Sequence, residues 1–84
     1  MITFLKGKLT DALPTQVVID VNGIGYEVLI PLSSFEKLPE LGQAVTLRTQ
    51  LVVREDSQTL YGFATDAERE LFRLIQGVSG LGPR

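Results

Sequence analysis

Two stretches of this chain carry residue types that could do chemistry. The first is Arg54-Glu55-Asp56-Ser57-Gln58, five polar residues with two adjacent carboxylates and neither glycine nor proline. It separates two apolar runs, so the chain is expected to reverse there, with Glu55 and Asp56 at the tip of a hairpin. The plain reading is a solvated turn, since exposed turns are usually polar. The second stretch is Ser79-Gly80-Leu81-Gly82-Pro83-Arg84. Its glycines make a tight turn at a helix end, whose backbone N–H groups can hold a phosphate while Arg84 adds charge. The same residues also read as a glycine helix cap followed by a proline stop.

What is missing narrows the chemistry. There is no cysteine and no histidine, which removes disulfides, thiolate metal sites and the commonest general base and metal ligand. No metal or other cofactor is expected. Glu55, Asp56 and Asp20 could be read as Mg²⁺ ligands of a nuclease, but adjacent carboxylates on a flexible tip make a poor octahedral site. No Walker-type glycine loop occurs, so the chain is not expected to hydrolyse ATP.

A hydrophobic fraction of 44% against 21% charged residues is that of a globular chain, and 84 residues suffice for one small domain and part of another element. The net charge of −2 counts against nucleic-acid binding only as a whole-chain sum. Lys6, Lys8, Arg48, Arg54 and Arg84 can share a face while Asp11, Asp20, Glu36 and Glu40 lie elsewhere. Taken singly, Lys6, Lys8, Arg48 and Arg54 read as solvated surface. The apolar run before Lys6 is too short for a signal peptide, and no stretch approaches a membrane span. A soluble cytoplasmic protein with no membrane contact is the expectation.

The elements that must position the two stretches follow from periodicity. Residues 2–10 read as a first strand, with Gly7 marking a bend or bulge at a barrel corner, and Asp11 to Thr15 as a turn. Gln16 to Val21 turns the alternate residues Val17, Ile19 and Val21 one way. Asn22-Gly23 is the strongest short hairpin signal, because both residues tolerate the positive φ of a type I′ turn. Gly25 to Ile30 then pairs back antiparallel. From Pro31 to Leu41 the strand pattern breaks; Leu32, Phe35 and Leu38 recur at helical spacing, with Ser33 and Ser34 as caps and Phe35 as a plug for the sheet. Gln43 to Arg54 is a long strand with Val45, Leu47, Thr49, Leu51 and Val53 on one face, and Thr59 to Phe63 is the last.

Thr65-Asp66-Ala67-Glu68 is a capping box, so a helix begins there. Ala67, Leu71, Leu74, Ile75 and Val78 keep the spacing of a buried stripe. The plan is a mainly β protein: a five-stranded OB-fold Greek-key barrel followed by an amphipathic helix, with an SH3-like barrel as the structural alternative. Residues 1–64 would be the barrel domain with its acidic hairpin, and residues 65–84 the start of a second unit.

Several motifs then come together in order and spacing: Val21-Asn22-Gly23-Ile24-Gly25-Tyr26-Glu27-Val28, Val52-Val53-Arg54-Glu55-Asp56, Leu60-Tyr61-Gly62-Phe63, Glu68-Arg69-Glu70-Leu71-Phe72 and Gly77-Val78-Ser79-Gly80-Leu81-Gly82-Pro83-Arg84. From Met1 to Arg84 the chain resembles the N-terminal part of the RuvA family, the Holliday-junction-binding subunits of the bacterial branch-migration complex. The resemblance implies a non-catalytic subunit that recognises four-way DNA junctions in recombination and repair. It further implies a homotetramer on the open junction, the RuvB hexameric ATPase and the RuvC resolvase as partners, and a second domain of two helix-hairpin-helix motifs. Glu55 and Asp56 match the family's acidic pin at the crossover. Ser79, Gly80, Leu81, Gly82, Pro83 and Arg84 match the first DNA-binding hairpin, with Arg84 where the family usually has lysine. The chain ends inside that hairpin, so it is expected to be one part of a longer protein. A barrel used only for protein contacts or self-association, without DNA, is the competing reading.

Overall fold

Alternating apolar residues build five strands whose inward faces meet in one core. The computed structural model describes residues 2–79. In chain order the elements are β1 (Phe4–Leu13), β2 (Gln16–Val21), β3 (Ile24–Leu29), a one-turn helix α1 (Leu32–Phe35), β4 (Ala44–Val53), β5 (Gln58–Phe63) and α2 (Asp66–Ser79). The strands close into a barrel in the order β1-β2-β3-β5-β4, so the expected five-stranded OB-fold barrel is the architecture observed. Its interior is filled by Leu5, Leu9, Val17, Ile19, Val28, Ile30, Leu47 and Leu60.

The β2–β3 hairpin follows the sequence closely. Asn22 and Gly23 have φ of 54° and 88°, as a type I′ turn requires. The Asp20 side chain accepts a hydrogen bond from the Gly23 N–H at 2.8 Å. The register runs from Gln16↔Leu29 to Val21↔Ile24.

β1 departs from expectation. Asp11 to Leu13 are strand and not turn: Asp11 pairs with Val18, Ala12 with Val17 and Leu13 with Gln16. The reversal is confined to Pro14 and Thr15. A bulge between Leu9 and Asp11 shifts the inward phase from Leu9 to Ala12, which breaks the alternation that would have revealed a strand. The bulge therefore lies at Thr10, and Gly7 has a different task. An added Cβ at Gly7 would stand 2.3 Å from the Asp20 carbonyl oxygen, so only glycine lets β1 cross this closely over β2 while pairing with β4.

α1 is also held differently from the serine caps expected. Its N-cap is Pro31, with no side-chain cap bond. Ser34 is instead fully buried, and its hydroxyl accepts the Ala64 N–H at 3.0 Å. Phe35 packs against the core from this turn, as expected of a plug.

Candidate functional site

The acidic turn sits on a ribbon that outruns the barrel. β1 pairs with β4 only over Ala44 to Arg48, and β3 touches β5 through the single pair Leu29↔Tyr61. Beyond those points β4 and β5 pair only with each other, as far as Val53↔Gln58. Val53 is 61% exposed although it lies on the inward-facing phase of β4, because there is no barrel beneath it. The Arg54 N–H donates to the Ser57 carbonyl at 2.7 Å, leaving Glu55 and Asp56 as the two central residues. The turn is thus Arg54 to Ser57, one residue shorter than expected, with Gln58 already in β5.

Neither carboxylate has a hydrogen-bond or ion-pair partner among the described residues, and Arg54 to Gln58 are all exposed. Two unneutralised charges therefore project together from the end of a two-stranded ribbon. Any polyanion brought to this point meets their full repulsion, which extends about one Debye length, roughly 8 Å at physiological salt.

The phosphate-binding candidates fall mostly elsewhere. Ser79 is the last residue of α2, while Gly80, Leu81, Gly82, Pro83 and Arg84 lie outside the described residues. What the structure does define is how α2 is carried. The capping box forms as expected: the Glu68 N–H donates to Thr65 Oγ1 at 3.2 Å, and the Thr65 N–H donates to Glu68 Oε1 at 3.1 Å. The same Glu68 carboxylate accepts from the Ser33 hydroxyl and pairs with Lys37 at 3.5 Å. It ties α1 to the start of α2.

Burial pushes the Glu68 carboxyl up, but hydrogen bonds from Ser33 and Thr65, the Lys37 charge and the Ser34 hydroxyl outweigh it, and the net displacement is downward. A carboxyl lowered in the folded state stabilises the fold above its unfolded value and loses that contribution as pH falls through the folded value. Glu68→Gln is accordingly expected to cost about 1 kcal/mol at neutral pH. In melts repeated at decreasing pH, its deficit relative to the parent should shrink below the ordinary carboxylate range. A deficit that stays constant down to strongly acid pH would show that the charge is not what matters.

The helix face used against the barrel was not the one expected. Leu71, Leu74 and Ile75 are 59%, 62% and 59% exposed, and Ala67 is exposed as well, so the apolar stripe does not pack on the barrel; the Val78 side chain is not described. The contact is made by the neighbouring flank. Phe72 inserts between Tyr61 and Phe63, with ring centroids at 4.9 and 5.1 Å. Arg69 Nη1 donates to the Thr3 carbonyl at 2.8 Å, and Arg73 Nε donates to Gln50 Oε1 at 2.8 Å. Periodicity reports that a stripe exists, not what will cover it. The signal for the true contact was the Tyr61-Gly62-Phe63 run, whose two aromatics point outward from the barrel because Gly62 points in.

Of the basic residues, Lys6 and Lys8 are exposed on the outer phase of β1, Arg54 flanks the acidic turn, and Arg48 is paired with Asp66 at 3.1 Å.

With this geometry in hand, comparison with known proteins decides the family. A family model described as the RuvA N terminal domain matches residues 1–62. The chain belongs to the RuvA N-terminal domain family. Across its whole length it is 57% identical to a relative from Albidiferax ferrireducens and 55% identical to one from Methylibium petroleiphilum, covering 44% of each. A relative from Chromobacterium violaceum is 55% identical, with 43% of its length covered. All three bear the name Holliday junction branch migration complex subunit RuvA. The chain spans less than half the length of these RuvA relatives. No described helix is long and apolar enough to cross a membrane.

Proposed function

We propose that this chain is the barrel portion of a subunit that binds four-way DNA junctions and has no catalytic site of its own. ATP-driven branch migration would be performed by a partner of the RuvB type, with a RuvC-type resolvase acting on the same junction and four copies of the intact subunit surrounding the crossover. The observation that carries this reading is the pair of unpartnered carboxylates on a projecting ribbon, in a chain of the RuvA N-terminal family. Glu55 and Asp56 would act as an acidic pin. Duplex DNA presents a phosphate charge about every 1.7 Å of its axis, so carboxylates at the crossover repel the backbones and hold the arms apart. Affinity would come from phosphate contacts further out, from Ser79, Gly80, Leu81, Gly82, Pro83 and Arg84. Residues 1–64 form the barrel unit in this reading, and residues 65–84 begin the second, DNA-holding unit.

The test is a titration of a fluorescent four-way junction, and of a linear duplex with the same arm sequence, with the chain extended to the full length of its relatives. Salt must be fixed, since affinities of this kind change by orders of magnitude with it. A preference for the junction of about a hundredfold or more is expected. Equal affinity for both ligands, or none, would overturn the proposal and leave the exposed Leu71, Leu74 and Ile75 face of α2 as the surface of interest, in a protein-interaction module.

A further inference from the structure

α2 is not joined to the barrel by its leading turn alone; three successive anchors seat it. Asp66 pairs with Arg48, Arg69 reaches the carbonyls of Thr3 and Thr49, and Arg73 holds Gln50. The partners Arg48, Thr49 and Gln50 advance along β4 in the same order as the anchors advance along α2. The helix therefore runs with β4 toward the acidic turn, and Ser79 lies six residues past the last anchor, about 9 Å further along the axis.

Arg69 is the central anchor and the most buried of the three cationic ones, with 17% of its side chain exposed. Its Nη1 donates to Thr3 O at 2.8 Å and to Thr49 O at 3.5 Å, and its Nη2 to Asp66 Oδ1 at 3.4 Å. Thr3 O also accepts the Thr49 N–H at 2.9 Å, and Thr49 Oγ1 donates to Ile2 O at 2.7 Å. The guanidinium thus sits where the start of β1 meets β4, at the base of the projecting ribbon. Only a planar, multiply donating head can hold two carbonyls and a carboxylate at once.

We infer that Arg69 is a positioning residue for junction recognition: by locking α2 to the base of the pin ribbon, it fixes the spacing between the acidic turn and the segment that follows α2. The inference rests on the junction-binding reading above. Two elements that must engage one ligand together gain from a fixed spacing, because the second contact is then made at high effective concentration; a loosened linkage forfeits that gain. The acidic turn repels every duplex equally, so without fixed spacing the junction loses its advantage.

The experiment uses the full-length protein. Arg69→Met is expected to weaken junction binding about tenfold or more while changing linear-duplex affinity only about twofold. Arg69→Lys, which keeps the charge and one donor, should fall between it and the parent. Spin labels on cysteines introduced at Ser57 and Glu70, both exposed, should give a narrow distance distribution in the parent and a broad one in Arg69→Met. If the parent itself shows no junction preference, the underlying reading fails. If the parent prefers junctions and both Arg69 variants keep that preference, or Arg69→Met loses it while the distribution stays narrow, the positioning role is overturned.

Discussion

A Gly7→Ala variant is expected to melt roughly 15 °C below the parent, the loss produced by about 3 kcal/mol in a domain of this size. The methyl group would stand 2.3 Å from the Asp20 carbonyl oxygen and 3.0 Å from Ile19 Cγ2. The first neighbour is backbone, hydrogen-bonded into the β2–β3 hairpin, and cannot yield without opening the barrel. Gly62→Ala should behave similarly, for its Cβ would lie 2.5 Å from Val28 Cγ1 and 3.2 Å from Leu47 Cδ1, inside a core with no room to receive it. Gly25→Ala supplies the control. There the nearest atom is Val18 Cγ1 at 3.4 Å and the position is exposed, so its melting temperature should stay within a few degrees of the parent's. If Gly7→Ala melted alongside Gly25→Ala, the close crossing of β1 over β2 would be wrong.

Neutralising the acidic turn should have the largest effect on binding. For Glu55→Ala with Asp56→Ala in the full-length protein, linear-duplex affinity is expected to rise about tenfold at low salt. The size follows from two carboxylates each about 5 Å from a phosphate in water, worth roughly 0.8 kcal/mol apiece. Junction binding should be retained or become tighter, and the rate of branch migration driven by the motor should change. Because both side chains are exposed and unpartnered among the described residues, stability should move by no more than about 0.5 kcal/mol. Raising the salt should shrink the duplex effect, since the repulsion is screened. A double variant with unchanged duplex affinity and unchanged migration would remove the pin from the account.

The two predictions draw on different levels of the molecule. Glu55 and Asp56 can be picked out in the sequence, because two carboxylates between two strand-like runs have few places to go but the tip of a hairpin. That the tip overhangs the barrel is not written there. It depends on where β1 stops pairing with β4 and on the single contact between β3 and β5. Gly7 is conspicuous in the sequence as a glycine inside a strand, but whether it marks a bulge, a bend or a close crossing is settled only by the position of Asp20.

Local order was legible along most of the chain because it arises from neighbours in sequence. Strand alternation, the positive φ of Asn22-Gly23 and the reciprocal bonds of Thr65 and Glu68 each involve residues no more than a few positions apart. The failures share the opposite cause. The Thr10 bulge hid the end of β1, Ser34 was drawn from capping α1 to holding Ala64, and α2 packs through Arg69 and Phe72 while Leu71, Leu74 and Ile75 face outward. Each outcome was decided by a partner distant in the chain. Arg69 and Thr3 are 66 residues apart, and no periodicity within α2 reveals that the carbonyl which fixes its face will be waiting at the start of β1. The sequence by itself determined which segments become strand, turn and helix, through short-range sterics and hydrogen bonding. The tertiary structure decided which faces meet, because burial and close approach depend on how distant segments are brought together by closing the barrel.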